Sequence, residues 1–169
     1  IAALSTDQIK ALTSAALNAL TSDQLAAVLV DDIAALTTAQ VSKLSTTQLA
    51  LFSTDQIVAL TTAQVQALTT AQLTSLTSDQ LNNMESDDIQ ALTTAQVRAL
   101  SSDQLDNLSS TQVSVMETRD IAALSSAQVT HLSTDAITAL TTDQIQALTS
   151  SALNALTSDQ LTAVLVDDI

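Results

Sequence analysis

Isoleucine, leucine or valine occupies every eighth position of this chain, from Ile1 through Ile9, Leu17, Leu25 and Ile33 to Ile169, without exception. A second apolar row runs beside it, through Leu4, Leu12, Leu20 and Leu36 to Leu156, with Val28, Phe52, Met84, Met116 and Val164 as its non-leucine members. Between the rows most octads read Leu, Ser/Thr, Ser/Thr, Asp/Ala, Gln, Ile/Val/Leu, any residue, Ala. A fixed period of this kind is the mark of a repeat architecture. The pattern predicts one continuous array over residues 1–169, about 21 octads long.

The period selects the secondary structure. Eight residues of a continuous α-helix at about 3.6 per turn advance about 800°, so an apolar stripe would drift about 80° per octad and soon circle the helix. A long coiled coil is therefore disfavoured. Strands need alternation, which Val65, Ala67 and Leu68 do not give, and the corners of a β-solenoid want Gly or Pro, of which there are none. What remains is a short helix restarted in every octad.

The local chemistry of restarting is present. In Leu36–Leu44, Thr37 sits as an N-cap and Gln40 three residues later completes a Ser/Thr-x-x-Gln capping box. Leu36 and Val41 fall at the two positions of a hydrophobic staple. Asp7, Asp23, Asp55, Asp79, Asp103, Asp143 and Asp159 stand at the second helical position, where the positive helix end favours a carboxylate. Ser or Thr fills the cap position in 17 of 21 octads, so three independent rules agree on one register. A helix of one and a half turns is unstable alone, and stacking must supply the stability through two large buried side chains per octad. Small residues before the next Leu, such as Ala59, Ala67, Ala91 and Ala99, leave room for close approach. The expected fold is all-α: a solenoid of short capped helices, one per octad, around a narrow Leu/Ile/Val axis with Thr, Ser, Gln and Asp outside.

A longer period overlies the octad. Residues 1–33 and 137–169 agree at 28 of 33 positions, at an offset of 17 octads, which suggests duplication of a gene segment. The chain begins without Met and in phase with its repeat, so it reads as a piece of a longer array.

Composition narrows the function. Gly, Pro, Cys, Trp and Tyr are absent and Phe52 is the only aromatic, which removes disulfides, thiolate metal sites and the large residues that usually anchor pockets. A net charge of −14, with only Lys10, Lys43, Arg98 and Arg119 basic, repels nucleic acid and anionic membrane surfaces. The longest strongly apolar run, Leu25–Val30, falls far short of the roughly 20 residues a spanning helix needs.

Four octads break the rule, those at Val28–Ile33, Met84–Ile89, Met116–Ile121 and Val164–Ile169, and carry Asp32, Asp88, Asp120 and Asp168 in the Gln position. The paired acids Asp31 and Asp32, Asp87 and Asp88, and Asp167 and Asp168 are the candidate Ca²⁺ ligands. No Gly-bearing Asp-x-Asp-x-Asp-Gly loop accompanies them, so the favoured reading is structural, with fused helices or a changed pitch at these points. His131 has no catalytic partners in the repeat, Phe52 reads as a core substitute for Leu, and Lys10, Lys43 and Arg98 read as solvated. No catalytic residue and no cofactor is expected, and the chain does not read as an enzyme.

At Leu60-Thr-Thr-Ala-Gln-Val-Gln-Ala67 and Leu92-Thr-Thr-Ala-Gln-Val-Arg-Ala99 the sequence resembles the octapeptide arrays of very large bacterial surface or secreted proteins, often described as adhesin-like or haem-utilisation proteins. The resemblance covers essentially the whole chain, implies a bacterial surface or extracellular location, and transfers no binding residue. The function it favours is a stiff spacer or filament-forming segment, associating with its own kind or with neighbouring repeats of the same chain. The alternative is a repetitive binding scaffold, with rows of Thr and Ser meeting ice or a polysaccharide, or rows of Asp collecting Ca²⁺. An enzyme is the third reading, disfavoured because a repeating octad offers the same groups everywhere, and an acidic DNA mimic is a further one, whose mark would be salt-sensitive binding to a DNA-handling protein.

Overall fold

The computed structural model describes residues 4–167. These are helical and contain no strand. The chain divides into two compact units, Ile1–Met84 and Glu85–Ile169, and the octad phase runs unchanged from one into the other. The boundary falls inside an irregular octad, at the step from Met84 to Glu85.

Unit 1 holds α1 (Thr6–Lys10), α2 (Ser14–Asn18), α3 (Ser22–Ala26), α4 (Val30–Ala35), α5 (Thr38–Val41), α6 (Thr46–Ala50), α7 (Thr54–Val58), α8 (Thr62–Ala67), α9 (Thr70–Ser75) and α10 (Ser78–Asn82). Unit 2 holds α11 (Ser86–Gln90), α12 (Thr94–Ala99), α13 (Ser102–Asp106), α14 (Ser110–Ser114), α15 (Thr118–Ile121), α16 (Ser126–Val129), α17 (Thr134–Thr138), α18 (Thr142–Ala147), α19 (Ser150–Leu153) and α20 (Ser158–Asp167). Each unit is a solenoid of short helices in which a helix packs on the third one along. In unit 1 α1 meets α4, α4 meets α7 and α7 meets α10, and in unit 2 α11 meets α14, α14 meets α17 and α17 meets α20.

Each helix starts as the local chemistry dictates. All 17 Ser/Thr caps accept a hydrogen bond from the backbone N–H three residues on, and in most octads the Gln side chain returns the bond to the cap. Between helices the chain turns without any residue at positive φ among those described. A helix ends at a right-handed or extended C-cap, as at Ala59 (φ −76°, ψ −7°) or Leu68 (φ −60°, ψ 134°), and the next cap is extended, as at Thr61 (φ −74°, ψ 154°). Among the described residues the left-handed C-cap that favours glycine is not used, which accounts for so many turns without a glycine.

Both apolar rows are buried through the interior, from Ile33, Val41, Leu49 and Ile57 in one to Leu36, Leu44, Phe52 and Leu60 in the other. The staple pair Leu36 and Val41 is buried together, and Phe52 occupies a leucine's place in the core as expected. One feature of the expected fold is corrected. Glutamine does not line the outside: eleven glutamines, among them Gln40, Gln64 and Gln104, are buried.

Candidate functional site

The buried glutamines form the most regular polar feature of the molecule. In octad after octad, Gln Oε1 accepts the N–H of its own cap residue while Nε2 donates backward to the preceding turn. Gln64 shows the full set. Its Oε1 accepts from Thr61 N at 2.6 Å, and Nε2 lies 3.0, 3.3 and 2.7 Å from the carbonyl oxygens of Ile33, Ala34 and Leu36. Gln40, Gln56, Gln72, Gln80, Gln144 and Gln160 repeat the bond to the carbonyl 28 residues before them. Most of them also reach the carbonyl 31 residues back.

The two ends of the bond are complementary in kind. A helix leaves N–H groups orphaned at its start and C=O groups at its end, and burial of either without a partner is costly. One primary amide, carrying an acceptor and two donors, serves the start of one helix and the end of another. A carboxylate would meet only the first demand, since it has no proton to donate. This accounts for Gln rather than Glu in a chain that is otherwise acidic.

The ladder also sets the pitch. A step of 28 residues is three and a half octads, so within each unit a helix lies over the junction between the helices three and four before it. Gln40 of α5 thus reaches Ile9 and Lys10 at the end of α1 and Leu12 just beyond it, while α5 itself packs against α8 above. The sequence reading assigned Gln to the capping box alone and missed this second role. Its signal was there in the recurrence of Gln in 14 of 21 octads, where Ser/Thr caps alone do not require it.

Irregular positions show how the rule bends. Asn18 donates through Nδ2 to Lys43 O at 2.8 Å and accepts from Ser45 N at 2.7 Å, taking the cap N–H that Gln48 would otherwise hold. Gln48 still donates to Asn18 O and Leu20 O, but its Oε1 is buried without a partner. Ala136 and Ala152 replace Gln and are fully buried.

The Ca²⁺ candidates do not converge. Asp31 and Asp87 are exposed, whereas Asp32 and Asp88 take the buried glutamine place beside them. Asp32 Oδ1 accepts from Thr6 Oγ1 at 3.2 Å, and Asp120 Oδ1 from Thr94 Oγ1 at 2.5 Å, both from 26 residues earlier. Asp therefore exchanges the amide's donation to carbonyls for acceptance from a hydroxyl. Asp167 ends α20, and Asp168 lies outside the described residues. Among the described residues no three His, Cys, Asp or Glu side chains group as a metal site.

Three of the irregular octads do not fuse helices: α4, α11 and α15 start separately after the N-caps Leu29, Glu85 and Glu117, without a side-chain cap bond. Only α20 runs through, from Ser158 to Asp167. His131 Nδ1 lies 3.2 Å from Asp106 Oδ1 on a part-exposed surface, where such a pair contributes little. Arg119 pairs with Glu117 at 2.9 Å. Lys10, Lys43 and Arg98 are exposed. Among the described residues no helix is long and apolar enough to cross a membrane.

A family model described as the ALTTAQ repeat matches residues 1–28, 30–62, 58–85, 81–116 and 113–150. Two of these matches, 1–28 and 58–85, have the length of one 28-residue turn. No curated protein and no solved structure matches the chain.

Proposed function

Since the chain belongs to the ALTTAQ repeat family, a tandem array, we propose that it works as a structural element: a stiff spacer or filament-forming stretch of a bacterial cell-surface or extracellular fibre. The observation that carries this reading is the Gln ladder. Its recurrent buried polar group is consumed in holding one turn to the next, and the same contact recurs along each unit. Repeats joined only to their neighbours lengthen an object without changing its kind. The adhesin-like setting rests on the octad Leu60–Ala67, which is similar to arrays in very large surface proteins, and on an acidic surface that keeps such an array apart from anionic membranes. The chain acts without a catalytic site or cofactor, its partners being repeats of its own kind.

The 28-residue step speaks against the alternative of a Thr/Ser lattice for ice or a polysaccharide. Because 28 is not a multiple of eight, the residue one turn above an N1 Ser or Thr is the octad's variable seventh position. Thr38 is followed in this way by Gln66, Thr54 by Asn82 and Ser102 by Thr130. The hydroxyl rows are interrupted, and a crystalline surface would meet no regular grid.

The test is electron microscopy of arrays lengthened by seven octads, which are two whole turns. At helix spacings of about 8–10 Å, each such insertion adds about 16–20 Å. Linear growth supports the spacer, and particles of unchanged length overturn it. Protease treatment of intact producing cells checks the location: survival of the array there, with cleavage after lysis, contradicts a surface role.

A further inference from the structure

We infer that unit 2 carries a compliant joint, the seam at which α15, α16 and α17 lie on the helices one turn before them, and that this seam opens more readily than the complete seam of unit 1. The inference rests on the structural reading above and names where such an array gives way.

A seam between turns is held by the buried apolar rows and by the rungs of the Gln ladder. In unit 1 the seam that joins α8, α9 and α10 to the turn before them has its full set of rungs. Gln64, Gln72 and Gln80 are all buried, with bonds of 2.7, 2.8 and 2.6 Å to the carbonyl oxygens 28 residues back. In unit 2 the matching places on α15, α16 and α17 hold Asp120, Gln128 and Ala136. Asp120 accepts a hydroxyl from Thr94 and has no amide to give the carbonyls of Ile89 and Leu92. Ala136 has no polar side chain to offer those of Leu105 and Leu108. Gln128 remains, but it is only half-buried, and its Nε2 stands 3.1, 3.3 and 3.2 Å from the carbonyl oxygens of Val97, Arg98 and Leu100. The next seam along keeps Gln144 and Gln160 on either side of Ala152.

Shape agrees with the count of rungs. A groove of about 610 Å³ runs across the same seam, lined by Arg98 and Leu100 of the earlier turn and by Ala122, Ala123 and Gln128 of the later one. His131 and Asp106 also meet across the seam, but on a part-exposed surface where such a pair contributes little. In an array whose turns touch only their neighbours, stability is set seam by seam. The seam with one weak rung is therefore where the rod bends and where it first unwinds.

Hydrogen exchange of the whole chain, read by mass spectrometry, tests this. The amides of α15–α17 are expected to exchange about tenfold or more faster than those of α8–α10, the difference that two missing amide rungs make. Ala136→Gln restores a rung and should slow α15–α17 by about tenfold while leaving α8–α10 unchanged. Gln72→Ala removes one from unit 1 and should quicken α8–α10 towards the rate of α15–α17, with no larger side chain to be fitted. Circular dichroism shows that each variant is folded. Equal exchange in the two sets of helices, slower exchange in α15–α17, or a folded Gln72→Ala or Ala136→Gln that exchanges as the wild type does each overturns the inference. Uniform exchange in arrays that still lengthen with added octads removes the joint and leaves the spacer reading standing.

Discussion

Replacing Gln64 with methionine, which is unbranched and of similar length, keeps the shape of the side chain and deletes its hydrogen bonds. In the wild type the amide accepts from Thr61 N and its two Nε2 protons are shared among the carbonyls of Ile33, Ala34 and Leu36, at 1% exposure. Three net bonds at about 0.5–1.5 kcal/mol each, with orphaned groups left in a dry interior, give an expected loss of about 2–4 kcal/mol. Gln24 is the internal control. It makes the same capping box with Thr21 but is exposed and reaches no earlier turn, so Gln24→Met should cost below about 1 kcal/mol. With a urea slope of about 2 kcal/mol/M, circular dichroism at the helix band should show the Gln64→Met midpoint falling by about 1–2 M, against a few tenths for Gln24→Met. Gln64→Glu separates the two roles of the amide. It retains the acceptor for Thr61 N but faces three carbonyls with no proton, so at neutral pH it should destabilise at least as much as Gln64→Met. Gln24→Glu at an exposed helix start should be neutral or slightly stabilising. Equal shifts for the two methionine variants, or a harmless Gln64→Glu, would refute the ladder and leave Gln as a cap alone.

Asn18→Ala should be close to neutral, because Ser45 N–H returns to Gln48 Oε1 as Asn18 releases it; a midpoint loss above about 1 kcal/mol would show that the exchange fails. Leu29→Thr removes a side chain that is 56% exposed and supplies the missing cap of α4, for an expected gain of about 0.5–1 kcal/mol in the same denaturation assay. Phe52→Ala should cost about 3–5 kcal/mol as a core truncation, whereas Phe52→Leu, the residue usual in that row, should cost much less. Thermal melts in calcium and in chelator should coincide, since Asp31 and Asp32, like Asp87 and Asp88, divide between the surface and the interior; a calcium-dependent rise in midpoint would overturn this placement.

What the sequence determined by itself is what acts within a single octad. The cap, the box between Thr37 and Gln40 and the staple of Leu36 with Val41 join residues three to five apart, so their chemistry is legible without a fold. The absence of glycine is local as well, for the junctions use only right-handed and extended backbone. The 28-residue step was not legible. It depends on how far a Gln side chain reaches from one turn to the carbonyls of another, and the octad period is equally compatible with other numbers of octads per turn. Burial of the glutamines follows from the same contact, as Gln24 and Gln64 carry one local motif in two environments. The clearest case is a sequence written twice. Residues 21–33 and 157–169 differ only at Ala26 and Thr162, yet the first gives α3 and α4 as separate helices and the second gives the unbroken α20. Neither Leu29 nor Leu165 carries a capping oxygen, so nothing local stops the helix there. In the first copy Gln56, one turn on, donates to Leu25 O at 3.0 Å and Val28 O at 2.9 Å, holding those carbonyls at a helix end while Val28 is buried. Without a cap at Leu29, the break between α3 and α4 is held by the turn above.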